Sequence, residues 1–321
     1  MKRKCVLYLG NGFDVACGLK TKYSQFIESN IFEQLLKECN LASWIKDKYT
    51  KDKDKWSDLE ELLFCYSLYL QDSNNDSVHF EKITADFRDG HRRLTLALQE
   101  YIINQYSGIL PTNIHKLVDS WNMSLTIDGV CCFNYTPNAV LVNVLPNYDK
   151  LFRIHGSLCP QQKEAEIKVK LGIDRCMKVC PEHSFLYKDN MPNYAYGVWT
   201  EPDSRLIAAS QITHESIHPA FFNADVIIIY GCSLGRSDTA YYKYLFANAN
   251  TQKIFIYHFG NKEEIYFRER ILELTDDKNI FKRVYFIDNS IDNGYRDDFG
   301  KCTIFKEYFE LIHTKWRTNL M

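Results

Sequence analysis

No stretch of this 321-residue chain approaches the ~20 consecutive apolar residues that a membrane-spanning helix requires. The strongest run, Val226 to Tyr230, has the length of a strand. A surplus of basic charge is missing too. With 39 Lys and Arg against 41 Asp and Glu, the formal net charge is −2, which gives no general electrostatic case for nucleic acid. The opening Met1-Lys2-Arg3-Lys4 and Cys5-Val6-Leu7-Tyr8-Leu9 is basic and then apolar, as in a secretory leader. The apolar stretch stops at Gly10-Asn11-Gly12, too short for a leader core and without a small-residue cleavage site, so it reads as a buried first strand. An even set of cysteines is also lacking. Eleven cysteines in a long chain argue for reduced thiols in a cytosol over a disulfide framework, and the expected location is cytoplasmic. Most of them, Cys131 and Cys132 included, read as small buried apolar residues.

What is present suits a folded α/β protein. Apolar residues make up 45% and charged residues 25%, far from the balance that leaves chains disordered. The length exceeds a single usual core, so one large domain with an insertion, or two lobes, is expected. Short β-branched runs recur at Val6–Leu9, Gly129–Phe133, Phe152–Ile154, Val226–Tyr230, Ile254–Tyr257 and Val284–Ile287, several of them alternating with helical patterns. That rhythm implies an open, Rossmann-like parallel sheet with helices on both faces.

Residues 23–123 read almost entirely as helix, at Tyr23–Cys39, Leu59–Leu70, Val78–Tyr106 and Asn113–Ser120. They are expected to form a large helical lobe inserted into a nucleotide-binding core of residues 1–22 and 124–321. Lys46–Lys55 and Gln71–Ser77 read as exposed loops of that lobe. Residues 156–218 lose periodicity and read as an irregular lid or small subdomain. Asp238–Asn248, Lys262–Leu274 and Ile304–Arg317 read as helices on the last strands.

The chemistry-bearing residues cluster after the strands. Gly10-Asn11-Gly12-Phe13-Asp14, directly after the first strand, lets backbone amides approach a pyrophosphate; the plain alternative is a tight turn after an edge strand. The third glycine of a dehydrogenase fingerprint is absent, since Val15 holds its place. Three further segments follow strands: Phe133-Asn134-Tyr135-Thr136, Ile154-His155-Gly156 and Gly231-Cys232-Ser233-Leu234. In an open parallel sheet ligands sit at the carboxyl ends of strands, so the four segments are expected to share one cleft.

Taken in order, these segments resemble the sirtuin-like NAD-consuming fold, and their wording is closest to the AbiH-like abortive-infection family. The pattern of that family is a Gly-Asn-Gly-Phe-Asp opening, a Trp-x-Asp-x-Glu element, Phe-Asn-Tyr-Thr, His-Gly and Gly-x-Ser-Leu. All five occur here, with Trp56-Ser57-Asp58-Leu59-Glu60 as the second. The resemblance implies an NAD glycohydrolase that releases nicotinamide and ADP-ribose as the effector of anti-phage abortive infection. It assigns Asn134 and His155 to catalysis. It assigns Gly10, Asn11, Gly12, Phe13, Asp14, Thr21, Tyr135, Thr136, Gly231, Cys232, Ser233, Leu234 and Asp238 to NAD binding. Where sirtuins carry an Asp two residues after the Asn, this chain has Thr136.

Cleaving the nicotinamide–ribose bond develops positive charge on the sugar. An imidazole can accept a ribose or water proton near neutral pH, and an Asn amide can orient the ribose without a charge of its own. Structural readings stand beside these roles. His155 can bridge a strand end to a loop, Asn134 can form an Asx turn before Pro137, and Asp14 can tie down its own turn. Asp238 is equally a helix cap or a ligand contact. Ser57 to Glu60 reads best as a capping box with Glu60 reaching back to Ser57.

No metal is expected, because Cys159, Cys176, Cys180 and His183 lack the two close ligand pairs of a zinc site, and without a zinc ribbon a deacetylase is disfavoured. The rival function is a non-catalytic sensor of NAD or an ADP-ribose-type nucleotide that signals to a partner protein. RNA-directed toxicity ranks last, with neither paired metal-binding carboxylates nor a basic stripe to carry it. Expected partners are NAD or a related nucleotide, a phage-derived trigger or partner protein, and a second copy of the chain; no membrane is among them.

Overall fold

The computed structural model describes residues 2–51, 77–105, 112–135, 150–155, 224–235, 238–249 and 251–289, together with isolated residues between 59 and 66 and between 141 and 148. Strand β1 (Arg3–Leu9) leads into the short helix α1 (Asn11–Ala16). Helices α2 (Tyr23–Ile27), α3 (Asn30–Leu35), α4 (Asn40–Lys51), α5 (Ser77–Gln105) and α6 (Thr112–Ser124) follow. Then come β2 (Leu125–Cys132), β3 (Leu151–Arg153), β4 (Val226–Tyr230), α7 (Thr239–Asn248), β5 (Lys253–His258), α8 (Gly260–Leu274) and β6 (Val284–Asp288).

The six strands form one open sheet in the order β3-β2-β1-β4-β5-β6, and every pairing is parallel. This is the strand order of a doubly wound, Rossmann-like sheet, whose direction of winding reverses between β1 and β4. Strand β1 is therefore central, paired with β2 on one side and β4 on the other, so its glycine turn follows an interior strand and not an edge strand.

Alternation along the strands divides the core into two layers. Cys5, Leu7, Leu9, Val130, Cys132, Val226, Ile228, Phe255 and Tyr257 face one way, toward Phe13 of α1 and Trp121 of α6. Val6, Tyr8, Cys131, Ile227, Ile229, Ile254 and Ile256 face the other way, toward Tyr241, Tyr242 and Leu245 of α7 and Phe267 and Ile271 of α8. Because β4 is buried on both faces, its run of Val226-Ile227-Ile228-Ile229 needs no polar alternate. Full burial of each such side chain is worth roughly 1.5–3 kcal/mol.

The helices between β1 and β2 share a separate cluster, in which Phe26, Phe32, Leu41, Ile45, Leu94 and Leu98 are packed. Two expectations about this region change. The single helix expected over Tyr23–Cys39 is broken into α2 and α3, because the Ser29 hydroxyl caps the second by accepting from the Phe32 amide at 3.3 Å. Lys46–Lys51 is helix, where a loop was expected. Its charges form the outer face of α4, while Leu41, Ala42, Ile45 and Tyr49 form the buried stripe at helical spacing. The remainder of that stretch, residues 52–55, lies outside the described residues, as do 71–76, 156–223 and 290–321. Among the described residues no helix is long and apolar enough to cross a membrane.

Six cysteines, Cys5, Cys17, Cys39, Cys131, Cys132 and Cys232, are buried free thiols. Burial pushes the thiols of Cys5, Cys17, Cys131 and Cys232 well up, against formation of the reactive thiolate. Site-resolved mass spectrometry after iodoacetamide treatment at pH 8 is expected to leave these four unmodified in the folded chain and alkylated in denaturant. Rapid native alkylation at any of them contradicts this packing.

Candidate functional site

The crevice where winding reverses lies at the carboxyl ends of β1 and β4, where an open α/β sheet accommodates ligands. Two glycine turns meet there, backbone against backbone. The Gly10 amide donates to the Tyr230 carbonyl at 3.0 Å, the Gly12 amide to the Gly231 carbonyl at 2.8 Å, and the Phe13 amide to the Gly10 carbonyl at 2.8 Å. A Cβ on Gly12 would sit 2.6 Å from the Gly231 Cα, and one on Gly10 would overlap the Gly231 carbonyl oxygen and the Cys232 backbone. The missing side chains thus let the β1–α1 and β4–α7 turns clasp each other. Three amides of the first turn have protein acceptors. Asn11, exposed at the start of α1, carries the remaining amide, and its Oδ1 accepts the Thr21 hydroxyl.

The β4–α7 turn is held in an uncommon conformation. Gly231 has φ of 68°, and Leu234, at φ of 52°, is the sole non-glycine residue with positive φ among the described residues. Buried Arg270 of α8 braces it. Its Nε donates to the Leu234 carbonyl at 2.9 Å, one terminal nitrogen to the Thr239 hydroxyl at 2.6 Å, and the other to Glu273 at 2.6 Å. The guanidinium thereby fixes both flanks of the segment that carries Asp238.

Strands β2 and β3 deliver the polar pair. The Phe133 amide continues the ladder to the Leu9 carbonyl at 2.9 Å, and the next residue, Asn134, donates its side-chain amide to the Gly10 carbonyl at 2.7 Å. Ile154, bonded through its amide to the Cys132 carbonyl at 3.0 Å, sets His155 at the end of β3. His155, 4% exposed, places Nε2 3.0 Å from Asp238 Oδ1. Asp238 makes no side-chain cap to α7, so the cap reading gives way to the imidazole contact. With the neutral imidazole, an Nε2–H that donates to Asp238 leaves Nδ1 as the accepting nitrogen, an arrangement suited to proton transfer.

Tyr135 stands beside this pair. Its ring meets the His155 ring edge-on, with centroids 6.0 Å apart, while Phe133 approaches the same imidazole at 6.2 Å. The Tyr135 hydroxyl reaches Glu60 Oε1 at 3.5 Å, and the Tyr23 hydroxyl donates to the same oxygen at 2.5 Å. Burial, then the charge of Glu60, pushes the Tyr135 phenol far above its ordinary range, so it remains protonated.

The residues expected at the site divide by placement. Gly10, Asn11, Gly12, Asn134, Tyr135, His155, Gly231, Ser233 and Asp238 gather at these strand ends, with Thr21 tied to Asn11. Phe13, Cys232 and Leu234 have buried side chains. Phe13 packs edge-on to Tyr230, and the Cys232 thiol donates to the Tyr8 carbonyl at 3.5 Å. Asp14 is buried in α1, with its carbonyl accepting the Leu19 amide at 3.0 Å. Thr136, Gly156, Ser57 and the possible zinc ligands Cys159, Cys176, Cys180 and His183 lie outside the described residues. Among those described, no group of three or more His, Cys, Asp or Glu side chains is placed to hold a metal ion.

Three members were not identified from sequence. The Glu60 carboxylate serves two tyrosines, while the cap expected between it and Ser57 falls outside the described residues; Tyr23 and Arg270 carried no assigned role. The signal for both charged residues is a charge on an apolar stripe. Glu60 sits among Leu59, Leu62 and Leu63, and Arg270 among Phe267, Ile271 and Leu274, all buried.

The profile of one protein family, described as bacteriophage abortive infection AbiH, matches residues 6–259. No curated protein matches the chain. The matched span runs from β1 through β5 and takes in every strand end described above.

Proposed function

Because the chain belongs to the AbiH bacteriophage abortive-infection family, we propose that it acts as a nucleotide-consuming effector of that response, cleaving NAD to nicotinamide and ADP-ribose. The observation that carries the reading is the buried His155–Asp238 pair, 3.0 Å apart, at the switch point of a Rossmann-like sheet. A crevice of this kind takes dinucleotides in open α/β folds, and the Asn11 amide and the exposed Ser233 offer polar groups for phosphate and ribose. In this reading the sheet is a sirtuin-like core, and the helices between β1 and β2 form an inserted lobe that closes one wall through Tyr23 and Glu60.

The chemistry is a heterolytic break of the nicotinamide–ribose bond. Nicotinamide leaves with the bonding pair, water adds to the anomeric carbon, and His155 takes the proton that the water or a ribose hydroxyl gives up. Asp238 holds the imidazole in the accepting tautomer and balances the imidazolium that results. Asn134, anchored on Gly10, orients the sugar. Incubation of the purified chain with NAD, alone and with phage lysate as trigger, is expected to release nicotinamide, measured by chromatography. Asn134→Ala is expected to lower turnover about 10²-fold through lost alignment. Absence of nicotinamide from both reactions rejects the hydrolase reading. Calorimetric binding of NAD without turnover selects the sensor reading.

A further inference from the structure

Glu60 is a buried carboxylate, 5% exposed, that the reaction as described does not use. Its neighbours Leu59, Leu62 and Leu63 are all buried, so it lies on the apolar side of its helical segment. A carboxylate in such a place is heavily penalised unless donors satisfy it, and here two phenols converge on one oxygen, Tyr23 at 2.5 Å and Tyr135 at 3.5 Å. One phenol comes from α2 and the other from the residue that follows Asn134. The same Tyr135 ring lies edge-on to His155 at 6.0 Å. Tyr135 therefore stands between two carboxylates, bonded to Glu60 and packed by its ring edge-on against the imidazole that meets Asp238, and the charges of Glu60 and Asp238 both act on its phenol.

We infer that Glu60 is a positioning residue of this site, acting through Tyr135 to set the orientation and electrostatic environment of the His155 imidazole. The inference rests on the NAD-cleaving reading of the cleft. An imidazole flanked by two negative groups has its protonated form favoured, and Asp238 touches it directly while Glu60 acts across the Tyr135 ring. The Tyr23 bond fixes Glu60 from α2, so the orientation of Tyr135 depends on helical segments far from it in sequence. Ring placement matters because small displacements of a catalytic base cost rate steeply.

The test uses the full chain as wild type, Glu60→Gln and Tyr135→Phe. The first readout is the His155 ring titration, followed by nitrogen NMR in the ligand-free protein; His155→Gln identifies the signal. Glu60→Gln removes a negative charge, so the His155 midpoint is expected to move to lower pH. A midpoint coincident with wild type overturns the inference. The second readout is steady-state NAD turnover, for which kcat is expected to fall about 10²-fold with KM within a few fold. The acid limb of the kcat/KM profile is expected to move to lower pH with the NMR midpoint. Tyr135→Phe keeps the carboxylate and its charge and loses only the hydroxyl that ties the ring to Glu60, so kcat is expected to fall with KM within a few fold. If Glu60→Gln does not fold, Tyr135→Phe decides: wild-type kcat overturns the assignment, and a fall in kcat with KM held within a few fold supports it. Wild type that fails to turn over NAD defeats the hydrolase reading. Turnover by wild type that survives Glu60→Gln unchanged defeats this inference alone.

Discussion

Replacing His155 with Ala is expected to lower nicotinamide release by about 10² to 10⁴-fold, the range in which a positioned acid–base group contributes to catalysis. The side chain is nearly enclosed, yet it is bonded to Asp238, which itself lies at the mouth of α7 with 15% of its side chain exposed. Loss of the imidazole should therefore remove the reacting base and leave the sheet intact. Asp238→Asn is expected to act through the same group. An amide that donates to Nε2 reverses the tautomer, so the accepting nitrogen no longer faces as the native one does. The two substitutions combined should cost little more than His155→Ala alone, because groups that act as a unit are not additive. Steady-state rates on the three proteins, with circular dichroism to confirm folding, measure this. Full multiplicative loss in the double variant argues that the two residues act independently.

Gly231→Ala is expected to destabilise the fold by about 3 kcal/mol, the sum of a left-handed backbone and an overpacked contact. At φ of 68° any side chain is strained, and the added Cβ would lie 2.6 Å from the Gly12 Cα and closer still to the Phe13 amide nitrogen. Neither neighbour is a flexible side chain that can swing away; both are backbone atoms held by the clasp between β1 and β4. Gly260 supplies the control. It has φ of 77° but nothing within 4 Å of the place a Cβ would take, so Gly260→Ala should lose only the conformational part, about 1 kcal/mol. Urea unfolding midpoints of the two variants give the difference. Equal shifts would show that the turns are not in contact.

Much of the frame was legible because burial imposes a pattern on strands. All six strands coincide with β-branched or aromatic runs, and β4 matches its expected bounds of Val226–Tyr230. The parallel arrangement follows from long connections between them. Helix boundaries were less legible where local chemistry competes with periodicity. Ser29 divides α2 from α3 by capping, and the lysines of α4 conceal a helix beneath a charged exterior. At the site, the strand-end segments were readable as a group because the topology of such sheets gathers their carboxyl ends. The partners of Asp238 and Glu60 were not. Both residues look like helix-start carboxylates in sequence, since a cap is a local bond among neighbours, whereas His155 lies 83 residues from Asp238 and Tyr135 lies 75 from Glu60.

The sequence by itself determined the parallel α/β class, the placing of glycine turns and polar residues directly after strands, and the burial of Cys131 and Cys132. These are encoded in continuous apolar runs, as strands buried on both faces require, and in residues that follow one another along the chain. The tertiary structure alone decided that the glycines of the first turn face those of the β4 turn, that Arg270 holds Leu234, and that Asp238 meets His155 while Glu60 meets Tyr135. Each of those is a contact between distant segments, fixed by strand order and helix packing, and no local pattern of residue types specifies which carboxylate will find which ring.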